Sequence, residues 1–165
     1  MKNIVELMGC YERYHTKQAT KLTHFVGVPA IYFAIFIVLC WIPVPVLGIS
    51  FTWLLVIALM GYYLFLDIQL GLLSTVLFVA TACIADIIAG SRFNLPAFYT
   101  ALFFFIFGWV AQFIGHYIEG KRPAFLDNVF QVFVAPIFLV GEMVFMLGYR
   151  KGLEHEVLRN AGEIK

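Results

Sequence analysis

Charge is scarce in this sequence. Only 13% of its 165 residues are Asp, Glu, Lys or Arg, while 62% are hydrophobic and the mean hydropathy is +0.91. That is about half the charge of an average soluble domain. A soluble domain of this size has too little interior to hide so much apolar surface, so the solvent for most of the chain is lipid. Positive and negative charges nearly cancel, to a formal +1, and neither a polyanion nor a nucleic acid is expected as partner. Cysteine is scarce too. Cys10, Cys40 and Cys83 are odd in number and far apart, which excludes a disulfide framework and a CxxC metal or redox motif. There is no dinucleotide-binding glycine pattern, internal repeat, low-complexity stretch or soluble second domain. The first 21 residues are polar and no small-residue cleavage pattern follows the first apolar run, so no secretory leader is expected.

What is present is a series of apolar segments. Four of them, at about 22–42, 51–66, 70–89 and 96–116, read as helices that cross a hydrocarbon core roughly 30 Å thick. Pro43 and Pro45 end the first, Asp67 the second, and Gly90-Ser91-Arg92 the third. A fifth segment, 128–149, contains Pro136 and Glu142. Proline removes a helix hydrogen bond and a mid-bilayer acid is expensive. Asp127-Asn128 are expected to cap this segment. The expected fold is therefore all-α: one polytopic helical membrane domain over residues 1–165, with four spanning helices and a Pro-broken or re-entrant fifth segment. Basic residues crowd the N-terminus (Lys2, Arg13, Lys17, Lys21), the fourth loop (Lys121, Arg122) and the C-terminus (Arg150, Lys151, Arg159, Lys165). The positive-inside rule places both termini in the cytoplasm, provided that the fifth segment does not cross.

Histidine is also rare, and its placement is the most informative feature. The four imidazoles, His15, His24, His116 and His155, all lie at the polar borders of apolar segments. Converging on one membrane face, they would make a metal site. At about 100° per residue, the nine-residue step from His15 to His24 puts them on opposite faces of a straight helix. They share a metal only if the chain turns between them. Thr16–Thr20 is polar enough for that turn, with Thr20 or Thr23 capping the next helix. Gln112, His116 and Glu119 are spaced i, i+4, i+7 and form one polar stripe that must face protein or water. Glu142, an intramembrane acid, is a functional candidate by default. It could hold a ligand imidazole by its second N–H or pair with a buried hydroxyl. Tyr11, Tyr14, Trp109 and Tyr117 read as interface-belt aromatics. Two rival classes fit some of these residues. A bis-histidine haem protein would show a Soret band. A non-enzymatic membrane transporter or scaffold would account for the intramembrane acids but not for the histidines.

Several motifs together resemble a known family. They are Y-H at Tyr14-His15, T-H-x-x-G-x-P at Thr23–Pro29, Q-F-x-G-H at Gln112–His116, K-R-P-A at Lys121–Ala124 and D-N at Asp127-Asn128. The sequence is similar to the small membrane protein family of yeast 2-hydroxy-fatty-acid dioxygenase, through Tyr11–Pro29 and Gly108–Gly148 and on to His155. The middle spans match only in hydropathy. The fungal pattern carries one extra residue between the histidine of G-H and the proline of R-P-A, which sets its glutamate one step later than Glu119.

The resemblance implies an Fe(II)-dependent dioxygenase of fatty-acid α-oxidation. A long-chain 2-hydroxy fatty acid and O2 would give CO2 and the acid one carbon shorter, a reaction that serves sphingolipid degradation in fungi. It implies His15, His24, His116 and His155 as metal ligands; Gln112 and Glu119, from their stripe with His116, and Glu142, from its place within the membrane, are the candidates to support them. Lys121 or Arg122 would attract the substrate carboxylate. The setting would be a bacterial inner membrane, or the endoplasmic reticulum in a eukaryote, with the metal site on the cytoplasmic face. Four imidazoles and a chelating hydroxy acid would fill six octahedral positions and leave none for O2. So one histidine detaches, or the substrate binds through one oxygen, or one of the four histidines is not a ligand.

Overall fold

A computed structural model of the chain describes residues 3–123 and 129–162. Among them are seven helices: α1 (Ile4–Glu12), α2 (Gln18–Cys40), α3 (Phe51–Leu66), α4 (Ile68–Ala89), α5 (Leu95–Glu119), α6 (Gln131–Met146) and α7 (Lys151–Ala161). The link from α2 to α3 holds one small hairpin. In it β1 (Pro43–Val44) pairs antiparallel with β2 (Ile49–Ser50), Pro43 opposite Ser50 and Val44 opposite Ile49.

Local chemistry sets most of the boundaries. Asn3 starts α1 by accepting the Glu6 amide at 2.9 Å, the usual role of an N-cap side chain. Asp67 both ends α3 and starts α4, where its carboxylate accepts the Leu70 amide at 2.9 Å. Asn94 accepts the Ala97 amide at the start of α5. The expected caps at Asp127-Asn128 lie outside the described residues.

Three helices are long and apolar enough to cross a membrane: α2 with 23 residues, α4 with 22 and α5 with 25. At about 1.5 Å per residue, each exceeds a core of roughly 30 Å. The expected second span, α3, has the anticipated bounds, but its 16 residues reach only about 24 Å. Three helices, not four, therefore have spanning length. The fifth segment also differs from expectation. Pro136 sits inside α6 without breaking it. It is the sixth residue of the helix, past the four N–H groups that lack partners anyway, so it removes one intrahelical bond, to the Val132 carbonyl, and the helix continues across that gap. Most of α6 is buried, Pro136 and Glu142 included, so protein covers its polar side chain.

The chain divides into two compact units, Val26–Val110 and the pair Met1–Phe25 with Ala111–Lys165. The long helices α2 and α5 contribute to both. In the first unit the core is aromatic: Tyr32, Phe36 and Tyr63 surround Phe78 with ring centroids 5.2–5.9 Å apart. Two polar ties close it. Thr52 donates to the Phe36 carbonyl at 2.7 Å, and the Trp41 indole donates to the Ala89 carbonyl at 3.0 Å. Gly108 of α5 lies against α2, where an added Cβ would come within 2.8 Å of the Gly27 carbonyl. In the second unit, α1 packs against α6 and α7. Met8, Val134, Ile137 and Phe138 are fully buried there. This second unit carries the histidine site.

Candidate metal centre

His15 stands in the turn between α1 and α2, His24 in the second turn of α2, and His116 in the last turn of α5. All three are buried, and each offers a ring nitrogen within 4.8 Å of the others. The Nε2 atoms of His15 and His24 are 3.1 Å apart, and those of His24 and His116 are 3.3 Å apart. The chain does turn where the polar stretch required it. The turn is tighter than expected, however, because α2 already begins at Gln18.

The hydrogen bonds fix two tautomers. His15 donates Nδ1–H to the Tyr11 carbonyl at 2.8 Å, and His24 donates Nδ1–H to the Thr20 carbonyl at 2.8 Å. Each acceptor lies four residues earlier. With the proton on Nδ1, Nε2 carries a lone pair. Two such lone pairs facing each other at 3.1 Å repel unless a cation lies between them. Metal–nitrogen bonds of about 2.1 Å put ligand nitrogens about 3.0 Å apart at a right angle and about 3.4 Å apart at the tetrahedral angle. The two spacings fall in that range, so the residues fit a metal ion. Protonation is also suppressed. Burial, and then the neighbouring His24, push the His15 imidazole down from 6.5 to about 3, which keeps it neutral.

Glu119 holds the turn. Its Oε1 accepts the Thr16 amide at 3.1 Å and the Thr16 hydroxyl at 2.6 Å. Its Oε2 accepts the Lys17 amide at 3.1 Å and the Thr20 hydroxyl at 2.7 Å. A carboxylate three residues after His116 thus caps α2 and fixes the segment joining His15 to His24. The expected caps, Thr20 and Thr23, lie inside α2 instead. Close approach of α5 to α2 is possible because residue 115 is glycine. A Cβ there would collide with Thr23 Oγ1 and come within 3.1 Å of the His24 ring.

The remaining candidates separate. Gln112 is buried one turn before His116. Among the described residues, Glu142 holds neither an imidazole nor a hydroxyl. Its Oε2 pairs with Lys21 at 2.9 Å, and the same ammonium pairs with buried Glu12 at 2.6 Å. Lys21, counted above among the basic residues that orient the chain, is thus occupied in joining α1, α2 and α6. His155 is exposed on α7 and is not among the three converging imidazoles. On that helix the buried residue is Val157, and two residues turn about 200° around a helix, so His155 points away from the packed face. Lys121 donates to the Arg13 carbonyl at 2.7 Å, and both Lys121 and Arg122 are exposed. Tyr11 is not a belt aromatic: it is buried and stacks on the His15 ring, centroids 4.0 Å apart and planes 7° apart. Tyr117 is 90% exposed. Sequence reasoning missed the ties from Thr16 to Glu119 and from Lys21 to Glu142 because the partners are distant along the chain, and it missed Glu12, which meets Lys21 across the turn. Only the run of hydroxyls between the first two histidines hinted at the clamp.

Fold and site together define a class: an all-helical protein with helices of membrane-spanning length and a buried three-histidine centre at the ends of two of them. The chain belongs to the 2-hydroxy-palmitic acid dioxygenase Mpo1-like family, whose model matches residues 1–147. It is 33% identical over 157 residues to the 2-hydroxy-palmitic acid dioxygenase MPO1 of Saccharomyces cerevisiae, covering 91% of this chain and 87% of the yeast protein. No solved structure matches it.

Proposed function

We propose that this protein is an Fe(II)-dependent dioxygenase that takes a long-chain 2-hydroxy fatty acid to the acid one carbon shorter. The observation that carries the reading is the convergence of His15, His24 and His116, with Nε2 lone pairs of two of them facing at 3.1 Å. The similarity to the yeast enzyme supports the substrate class. Fe(II) held by these three imidazoles would supply the redox chemistry toward O2, and three ligands leave coordination positions open for O2 and the hydroxy acid. This removes the crowding that a fourth histidine would create.

The chain's own residues prepare the centre. Tyr11 and Thr20 carbonyls orient two rings, and Glu119 fixes the turn between them. Burial of all three imidazoles limits the access of water. Lys121 and Arg122 draw the carboxylate to the interface while the acyl tail stays in lipid. The rival readings lose their support. The imidazole rings stand edge to face with centroids 4.5–5.1 Å apart, which leaves no slot for a porphyrin plane. The intramembrane acid that favoured a transporter, Glu142, is paired with Lys21.

The reaction balances without outside electrons: R–CHOH–COOH plus O2 gives R–COOH, CO2 and H2O. Turnover therefore needs only substrate, O2 and ferrous enzyme. The test is to load the purified chain anaerobically with Fe(II), add oxygenated buffer and 2-hydroxy fatty acid, and count CO2 per O2. Equal amounts over several turnovers are expected. A strict requirement for stoichiometric NADPH or ferredoxin in each cycle would reject the reading. We further propose an integral membrane location, in a bacterial inner membrane or the endoplasmic reticulum, with α2, α4 and α5 crossing at full length, the shorter α3 crossing where the bilayer thins to match it, and α6 re-entrant. Both termini and the metal site are then cytoplasmic. C-terminal reporter fusions active only on the outer face would overturn this topology.

A further inference from the structure

The three imidazoles are anchored unequally. His15 and His24 each donate Nδ1–H to a main-chain carbonyl four residues earlier. Nδ1 of His116 is buried and has no hydrogen-bond partner among the described residues. Yet His116 turns Nε2 toward His24. A ring that ligates through Nε2 must keep its proton on Nδ1, and a buried N–H demands an acceptor. The residue four before His116 is Gln112. It is only 7% exposed, and its side chain makes no hydrogen bond among the described residues. Residues four apart lie over one another on a helix, with the later side chain leaning back toward the earlier one. A buried imidazole nitrogen without a partner and the side chain of a largely buried glutamine thus occupy neighbouring positions on one face of α5.

We propose that Gln112 is a positioning residue of the metal centre: its amide oxygen accepts Nδ1–H of His116 when that ring ligates. It gives His116 the anchor that the main chain gives to His15 and His24, and it fixes the third tautomer. The amide suits this task because it is neutral and adds no charge at the apolar end of α5. The inference rests on the metal reading above.

The test uses the full-length protein in mild detergent, with Zn(II) as a diamagnetic probe and 15N-labelled histidine. In the Zn(II)-loaded wild type, three slowly exchanging Nδ1–H signals are expected, because exposed His155 exchanges with water. Gln112→Met, similar in size but without an acceptor, should lose the His116 signal and bind Zn(II) about 10–100-fold more weakly. Gln112→Glu, which restores an acceptor, should recover both. The metal-free wild-type and Gln112→Met proteins should melt together, because the bond forms only on ligation. A Gln112→Met protein that binds Zn(II) like wild type and keeps all three signals overturns the proposal. So does a loss of affinity matched by a lower metal-free melting temperature and not rescued by Gln112→Glu, which would mark a packing role. Failure of the wild type itself to bind Zn(II) would overturn the metal reading along with it.

Discussion

Replacing Glu119 with glutamine changes one atom and tests how the turn is held. Each carboxylate oxygen of Glu119 accepts two donors, the Thr16 amide and hydroxyl on one and the Lys17 amide and Thr20 hydroxyl on the other. A carboxylate accepts through both oxygens, whereas a carboxamide has one oxygen and one NH2. Whichever way the amide turns, one backbone N–H and one hydroxyl face an NH2 group; the hydroxyl can turn and accept, the N–H cannot, and both lose a charged partner. Hydrogen bonds to a charged group contribute about 1.5–3 kcal/mol each. The site is part-buried, so the lower end applies, and Glu119→Gln should cost roughly 3 kcal/mol. At about 2–4 °C per kcal/mol for a chain of this size, the melting temperature should fall by roughly 6–12 °C. Metal affinity should fall with it, because the clamped segment carries His15 and leads into His24. Thermal melting in mild detergent, with and without Fe(II), reads both effects. A Glu119→Gln protein that melts with wild type and holds iron equally well would show that these four bonds contribute little.

The other predictions concern the ligands, the helix contact and pH. Iron content of about one per chain should be lost or strongly reduced in His15→Ala, His24→Ala and His116→Ala, and kept in His155→Ala; elemental analysis decides, and full occupancy in the His24→Ala and His116→Ala proteins would sink the ligand assignment. Gly115→Ala should destabilise by about 1–3 kcal/mol, the usual cost of overpacking, and weaken iron binding, because its Cβ meets Thr23 and the His24 ring. Unchanged melting and iron binding in that variant would contradict the close approach of α5 to α2. His15 titrates near 3 in the fold against 6.5 ordinarily. The unfolded chain therefore binds more protons between those values, and stability is full above about pH 6.5 and falls as pH drops toward 3. At pH 5 the loss from this group is about 2 kcal/mol. A metal-free melting temperature that stays flat from neutral pH down to pH 5 would refute the burial of a neutral His15.

Much of this was legible in the sequence because it is periodic or local. Hydropathy located α3 at its observed bounds, and α4 and α5 to within a few residues. The spacing of Gln112, His116 and Glu119 identified one buried face of α5. The polar stretch after His15 signalled the turn that lets the first two histidines meet. What was not legible depends on pairing across the chain. Glu142 looked like an orphan acid because its partner, Lys21, lies on α2 and was counted as a solvated charge. Tyr11 was misplaced because stacking on His15 has no sequence pattern. Border position alone could not separate His155 from the other three histidines. Only the packed face of α7, set by Val157, turns it outward. Pro136 suggested a break, but the helix carries on past its one missing hydrogen bond, with the packing of its buried residues to hold it.

His15 and His24 are nine residues apart, but His24 and His116 are ninety-two apart. An ion bound by all three closes a long loop, and the entropy of that closure grows only slowly with length. Such an ion would bind only the folded chain, where the three rings meet, so that occupancy and folding would be linked by mass action. A substitution in α1 or α6 that unfolds part of the population would then lower the apparent affinity for iron, although neither helix contributes an imidazole. Conversely, iron supply would set how much damage to that unit can be tolerated. A variant that is inactive when iron is scarce and active when it is plentiful need not lie anywhere near the ligands.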